Sequence, residues 1–509
     1  MRLLTRLLAA LLVGAVLTLV SSPHTALALD EFQKLTPADA SANDNFGYSV
    51  AISGSTALIG AWKDDRPATS GEDTGSAYVY RDNGSGNWMS IDKLVASDAM
   101  RLNSFGSAVG IDGNTAVVGA LFKNDTGGAY IFQDDGAGDW SEIAMLDADD
   151  GAEGDEFGYS AAISGSTAIV GAWKHNAAAG AAYLFRDNGL GEWSQIGKLV
   201  ADDVMAGDHF GVSVAISGTT AIVGSYFDSN PSGAAAGAVY VFEDNGGTWS
   251  QVDKLLADDG SSGKQFGRSV ALDGDRAVVG AIGDNTSGAF AGAAYVFERD
   301  ETTTWQQIDK LLAGDGTQND QFGISVGISG DNVVVGAFQA EEDGQASGSA
   351  YLFQETAPGS WDQVEELSAG DGASGDAFGY SVGISGAVGL VGAALNNSVA
   401  TDAGAAYLFN AIRIDGDYNR NGYVDAADYV LWRKSFGQSG DDLPADGNGD
   451  ETVDDADYQV WRANFGNSAT AAAAQNTGGP SLSAAVVPEP GTAVLVFIAG
   501  LIVLLQRRC

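Results

Sequence analysis

Seven Phe-Gly pairs punctuate this chain at nearly even intervals, and no other property restricts its fold as much. They stand at Phe46-Gly47, Phe105-Gly106, Phe157-Gly158, Phe210-Gly211, Phe266-Gly267, Phe322-Gly323 and Phe378-Gly379, separated by 59, 52, 53, 56, 56 and 56 residues. Self-similarity at such a period marks propellers and solenoids. Each unit carries four short apolar runs. In the third unit these are YSAAIS, TAIVGAW, AAYLFRD and WSQIGKLVA, beginning at Tyr159, Thr167, Ala181 and Trp193. Runs rich in Val, Ile, Tyr, Phe and Trp, bounded by Gly, Asn, Asp and Ser, read as strands and turns. ISGST and RDNG between runs supply residues that accept positive φ in tight hairpins. Four antiparallel strands in each of seven units predict an all-β, seven-bladed β-propeller. A β-solenoid is the alternative, although its coils are usually shorter.

The two ends of the repeat region favour the propeller. The seventh unit stops after its third run, at Tyr407-Leu408-Phe409, and lacks a Trp strand. Ahead of the first unit stands Phe32-Gln33-Lys34-Leu35, with Lys34 placed 12 residues before Phe46 as Lys198 is before Phe210. The N-terminal stretch is therefore expected to donate the outer strand of the last blade and close a ring over residues 30–411. A closed ring has no terminal blade face to cap. Burying Phe32 and Leu35 at that seam is expected to contribute roughly 1.5–3 kcal/mol each. The Phe-Gly pairs, with Gly-Ala ending the second run (Gly60-Ala61, Gly119-Ala120, Gly171-Ala172), resemble the bacterial FG-GAP repeat, a relative of the integrin α propeller. The resemblance covers Glu31 to about Asn410. It implies the fold and leaves the ligand open.

Charge narrows the partners. With 25 Lys and Arg against 67 Asp and Glu, the net charge is −42. Nucleic acid and anionic lipid both call for a basic surface, which this chain lacks. Such a balance suits a soluble, salt-tolerant, exported protein. Cys509 is the single cysteine, so no intrachain disulfide forms. Residues 1–28 read as a secretory signal peptide: Arg2 and Arg6, an apolar core from Leu7 to Val20, and the small-x-small site Ala26-Leu27-Ala28. An N-terminal membrane anchor is the alternative.

In a propeller the fourth-to-first and second-to-third strand connections share one face. The former are acidic and Gly-rich here, as in ADDGAEGDE before Phe157, ADDGSSGKQ before Phe266 and AGDGTQNDQ before Phe322. The latter open on an aromatic residue in four units, Trp62, Trp173, Tyr226 and Phe338, and on Leu121, Ile282 and Ala394 in the others. A ring beside carboxylates suits sugar binding, because the ring stacks on C–H faces while carboxylates accept hydroxyl hydrogens. The competing assignment is that these rings cap the blade core. Trp88, Trp140, Trp193, Trp249, Trp305 and Trp361 open the fourth strands and are assigned to the core, with Phe32 near the seam. The acidic loops leave calcium in the propeller open, although none has the D-x-D-x-D-G spacing of the integrin-type propeller. Catalysis is not expected: His175 and His209 are the histidines of the mature chain, and no G-x-S-x-G or H-E-x-x-H motif occurs. Paired carboxylates remain an open catalytic arrangement.

Beyond Ile414 the texture changes. Asp417, Asn419, Asn421, Asp425 and Asp428 place oxygen side chains at positions 1, 3, 5, 9 and 12 of a loop, with Gly422 at position 6 and the Tyr423 carbonyl at position 7. This is an EF-hand calcium loop with Asp in place of Glu at position 12. It returns 29 residues later as Asp446, Asn448, Asp450, Thr452, Asp454 and Asp457. Each loop precedes a helical pattern that puts three rings on one face, Tyr429, Trp432 and Phe436, then Tyr458, Trp461 and Phe465. A core this small is poorly stable without metal. The duplicated loop-helix over 414–466 resembles the type I dockerin. That resemblance implies two Ca2+ ions and a cohesin-like protein partner, as in assemblies that degrade polysaccharide. Glu451 departs from the pattern at position 6 of the second loop, where left-handed geometry costs a non-Gly residue about 1–2 kcal/mol.

Residues 467–486 are an Ala, Ser, Thr and Gly-rich linker. Then follow Pro488-Glu489-Pro490, an apolar run from Ala493 to Leu505, and Arg507-Arg508. Over 487–509 this resembles a PEP-CTERM sorting signal, which implies export, recognition by an exosortase and at least transient membrane anchoring through the C-terminus. A plain C-terminal anchor is the alternative. The whole reads as an exported or cell-surface, non-catalytic binding or adhesion protein, its propeller recognising a glycan or envelope component. A polysaccharide-degrading glycoside hydrolase or lyase carrying a dockerin is the alternative, and a purely structural spacer is the third.

Overall fold

Every second strand of the repeat is short, apolar and flanked by glycine, and in the structure it lies buried along its length, as in Thr56–Ala61 and Thr167–Ala172. The outer strands, such as Trp88–Leu94, keep buried ends and expose their middles. This gradient is what a four-stranded sheet wedged between two neighbours requires. The computed structural model describes residues 31–65, 73–84, 86–300, 304–341 and 346–411, and farther on 415–418, 424–440, 443, 445–448, 450 and 452–467. Residues 1–28, read as a signal peptide, residues 468–486, read as linker, and Pro488, Glu489, Pro490, Arg507 and Arg508, read as a sorting signal, lie outside the described residues. Among the described residues no helix is long and apolar enough to cross a membrane.

Twenty-eight strands form seven antiparallel four-stranded sheets. The seven innermost strands neighbour one another in a closed circle, so the sheets are the blades of a propeller. The closing strand is Gln33–Leu35, which pairs with Ala405–Asn410 of the seventh blade. Its register matches an ordinary outer strand: Leu35 faces Ala406 and Lys34 faces Tyr407, as Leu199 faces Ala182 and Lys198 faces Tyr183. Leu35 is buried and Phe32 packs partly buried at this seam. The expected closure by the N-terminus is thus observed.

Each Phe of a Phe-Gly pair is at most 1% exposed and fills a blade core. Phe46 meets Tyr78 and Tyr80 of the third strand at 5.5 and 6.1 Å, and Phe210 meets Tyr240 and Phe242 at 5.5 and 6.0 Å, mostly edge-on. Of the fourth-strand tryptophans, Trp88, Trp140, Trp305 and Trp361 are buried, whereas Trp193 and Trp249 are half-buried.

The glycines govern how blades meet. Gly47 and its six counterparts hold φ between +83° and +95°. A β-carbon on Gly60 would stand 2.1 Å from the Gly106 carbonyl oxygen of the next blade. The same contact recurs around the circle and ends with Gly392 against Gly47, at 2.0 Å. A serine hydroxyl reinforces six of these seams, as from Ser49 Oγ to the Gly106 carbonyl and from Ser381 Oγ to the Gly47 carbonyl, both 2.8 Å. The second blade has Ala108 at this position and lacks that bond.

Two substitutions separate steric fit from backbone strain. Gly392→Ala at the closing seam is expected to lower stability by more than the roughly 1–2 kcal/mol of left-handed strain. Gly165→Ala, in a hairpin turn at φ +56° with open space around it, is expected to cost only that strain. Chemical denaturation of both variants decides; equal losses would remove the seam from its governing role.

Candidate functional site

The Phe-Gly pair also breaks the ladder of its own strand. Phe46 pairs with Ala61, and pairing resumes only with Ser49 against Gly60, so Gly47 and Tyr48 form a bulge. Bulges re-aim side chains. Here the residue after each Phe-Gly lines a pocket on the propeller axis: Tyr48, Ser107, Tyr159, Val212, Arg268, Ile324 and Tyr380. The pocket has a volume of about 220 Å³. Its deeper wall is the Ser and Val layer that follows.

The residue before each Phe-Gly is strained. Asn45, Ser104, Glu156, His209, Gln265, Gln321 and Ala377 hold φ between +54° and +60°. Left-handed backbone in non-Gly residues is costly and gathers at functional surfaces. Here its side chains reach the rings predicted from sequence. Trp173 donates from Nε1 to Glu156 at 2.8 Å and meets His209 at 4.6 Å. His209 lies 5.4 Å from Tyr226. Burial, then the Lys174 charge, lowers the His209 imidazole and keeps it neutral.

All four predicted rings are half-buried, and none belongs to the buried cluster of its blade. They join the axial residues in two chains of contacts. Phe338 meets Tyr380 at 5.4 Å, Tyr380 meets Tyr48 at 5.1 Å, and Tyr48 meets Trp62 at 5.0 Å. Tyr159 meets Trp173 at 5.3 Å, and Arg268 sits 5.9 Å from the Tyr226 ring centroid. Trp62, Trp173, Tyr226 and Phe338 thus each touch a residue that lines the pocket. Burial, then Tyr380, pushes the Tyr48 hydroxyl far up, so it stays a neutral hydrogen-bond donor.

The acidic loops flanking this rim are largely neutralised internally. In the fifth blade Tyr295 donates to Asp259 and Asp284 at 2.9 and 3.0 Å, while Lys264 and Lys310 bind both carboxylates. Burial alone would raise the Asp284 carboxyl, but hydrogen bonds from Lys264, Thr286 and Lys310 outweigh it and hold it far below its usual range. The seam blade repeats the motif with Lys34, Tyr407 and Asp371. In the second blade the outer-strand lysine is replaced by Met145, opposite Tyr130. There Lys123, from the loop after the second strand, reaches Asp147 at 2.8 Å and is 2% exposed.

In the C-terminal region Ala426–Ser435 and Asp455–Asn464 are helices, each opened by a capping box, Asp425 with Asp428 and Asp454 with Asp457. Phe436 and Phe465 stand at the C-caps rather than inside the helices, because the backbone turns extended there, yet each still touches its Trp at 5.3 and 5.1 Å. The halves exchange equivalent bonds: Trp432 Nε1 donates to the Asp454 carbonyl and Trp461 Nε1 to the Asp425 carbonyl, both 2.8 Å. Trp432 meets Tyr458 at 5.0 Å and Tyr429 meets Trp461 at 5.2 Å. Asp428 and Asp457 are fully buried. Asp457 accepts backbone N–H bonds from Gly447, Asn448 and Asp454 at 2.8, 3.2 and 2.7 Å. Asp450 accepts from Asn448 Nδ2 at 2.9 Å and Asp446 from the Asp450 N–H at 3.1 Å. The donor set Asp446, Asn448, Asp450, Thr452, Asp454 and Asp457 is all oxygen, the chemistry of a hard cation such as Ca2+. Among the described residues, no group of three or more acidic, His or Cys side chains is gathered as metal ligands are. Of the first loop, Asp417, Asp425 and Asp428 are described, whereas Asn419, Asn421 and Tyr423 lie outside the described residues.

Sequence reasoning singled out Trp62, Trp173, Tyr226 and Phe338 and missed Arg268. The signal was present: the residue after Phe-Gly varies in an otherwise uniform repeat. Comparison with known proteins gives one family. A model of the FG-GAP repeat matches residues 29–80, 88–132, 140–185, 193–242, 249–297, 305–353 and 361–409. Each match after the first begins on an outer strand and ends on the third strand of the following blade, so the sequence unit straddles two blades. No curated protein matches the chain.

Two outcomes are expected from the charged loops. Lys123→Met should cost about 1.5–3 kcal/mol, the range for hydrogen bonds to charged groups. Adding Met145→Lys should restore most of it, since the lysine then comes from the outer strand as in neighbouring blades; no recovery in urea titrations would refute the equivalence. Asp44 is 1% exposed, and burial, outweighing the Ser41 N–H and reinforced by Asp64 and Asp65, raises its carboxyl to about 6. A raised folded pKa makes stability fall as pH climbs from about 4 to about 6, by up to about 3 kcal/mol, and stay flat above. Asp44→Asn should therefore raise the melting temperature at pH 7.5 far more than at pH 4; an equal change at both would sink this account.

Proposed function

The chain belongs to the FG-GAP repeat family, and from that premise we propose that it is a non-catalytic binding protein of the adhesion type whose propeller recognises a glycan. The observation that carries this reading is the aromatic rim of Trp62, Trp173, Tyr226 and Phe338 around the axial pocket. Half-buried rings and neutral hydroxyls suit the apolar faces and hydroxyl edges of sugars. Among the described residues that line the pocket there is no carboxylate, imidazole or thiol, which favours binding over hydrolysis.

The C-terminal module is proposed as the docking part. Asp417, Asn419, Asn421, Tyr423, Asp425 and Asp428 would hold one Ca2+, and Asp446, Asn448, Asp450, Thr452, Asp454 and Asp457 a second. Calcium would supply the folding free energy that so small a core lacks. The duplicated, mutually bonded helices support a cohesin-like protein partner. Export through residues 1–28, with the C-terminal segment read by an exosortase, places the protein at the cell surface or outside.

A panel of polysaccharides tests the reading with the intact mature chain, in calcium and then in chelator. Saturable binding should fall at least tenfold in Trp62→Ala/Trp173→Ala and be indifferent to chelator, while chelator alone alters the fluorescence of Trp432 and Trp461. Binding retained by the double variant would remove the rim from recognition.

A further inference from the structure

Arg268 is out of keeping with four other arginines of the propeller. Arg81, Arg186, Arg276 and Arg299 each meet a carboxylate. Arg268 lines the axial pocket, and among the described residues no ion pair to a carboxylate involves it; its guanidinium sits 5.9 Å from the Tyr226 ring centroid. This occurs in a chain with 67 acidic residues. A guanidinium withdrawn from bulk water and left without a counter-charge is costly. It also presents five N–H donors in a planar fork, which matches the two oxygens of a carboxylate or sulfate. Tyr48, Tyr159 and Tyr380 share the pocket with it and offer hydroxyls and ring faces.

Size and field limit the ligand further. A volume of about 220 Å³ holds one sugar ring rather than an oligosaccharide. A net charge of −42 repels a run of anionic groups. We propose that the axial pocket takes a single acidic sugar, at a chain end or branch, with Arg268 binding its uronate carboxylate or sulfate ester. This rests on the glycan reading and adds to it the chemical class of the ligand and the residue that selects it.

Titration calorimetry on the intact mature chain at low salt tests it, using sodium glucuronate, glucose 6-sulfate, glucose and sodium sulfate as probes. At least one acidic sugar should bind about tenfold or more tightly than glucose, and its affinity should fall with added NaCl. The tighter of the two identifies the acid group. Arg268→Gln should lose that preference, and Arg268→Lys should keep part of it, since an ammonium carries the charge without the fork. Thermal unfolding of both variants confirms that the fold survives. Equal binding of glucuronate, glucose 6-sulfate and glucose, binding unchanged in Arg268→Gln, binding of inorganic sulfate but no sugar, or no binding of any probe would each overturn the proposal. If polysaccharide binding is nonetheless lost in Trp62→Ala/Trp173→Ala, the glycan reading stands without the acidic subsite.

Discussion

The structure depends on a contact too close for any side chain. One glycine at the end of each second strand lies against the carbonyl of the glycine that follows Phe in the next blade. Neither can carry a β-carbon, and the second also requires positive φ. Seven such contacts, the last joining Gly392 to Gly47, set the spacing between blades and hence the radius of the ring. The bulge that delivers the glycine carbonyl to its neighbour lifts the next residue out of the ladder and turns it to the axis. Assembly and pocket formation are therefore one geometric event, repeated seven times.

This explains why the repeat is uniform in some places and free in others. Phe, Gly, Ala and the third-strand Tyr are fixed by the blade core and the seam. The residues just before and just after Phe-Gly vary from blade to blade. They are also the ones gathered at the channel mouth, where the backbone before Phe is held left-handed in every blade. A constant scaffold thus presents variable residues at the axis.

Charge follows the same division. The acidic loops that dominate the composition are tied down by lysines on the outer strands and by tyrosine hydroxyls from within. Where the second blade has Met145 instead of an outer-strand lysine, Lys123 supplies the charge from another loop. In the sixth blade the position holds Glu366 opposite Tyr351, and its carboxylate accepts from Ser349 Oγ at 2.8 Å. Against this pattern, the Arg268 guanidinium lines an axial pocket in which, among the described residues, no carboxylate takes part.

By itself the sequence determined the number of blades, their strand content, the strand that closes the ring and its register. These follow from periodicity and from the 12-residue offset of Lys34, because local patterns of apolar residues and glycine dictate strands and turns directly. The four rim aromatics were legible for the same reason, as was the helix pair of the C-terminal region. Only the tertiary structure decided that Trp62, Trp173 and Phe338 meet Tyr48, Tyr159 and Tyr380, and that Tyr226 meets His209 and Arg268. Only it could show that the acidic loops already have partners, that Trp432 and Trp461 bond across to each other's loops, and that Arg268 stands on the axis. Those facts depend on residues separated along the chain meeting in space, and on a bulge that turns one side chain out of the ladder. Period and composition carry no trace of either.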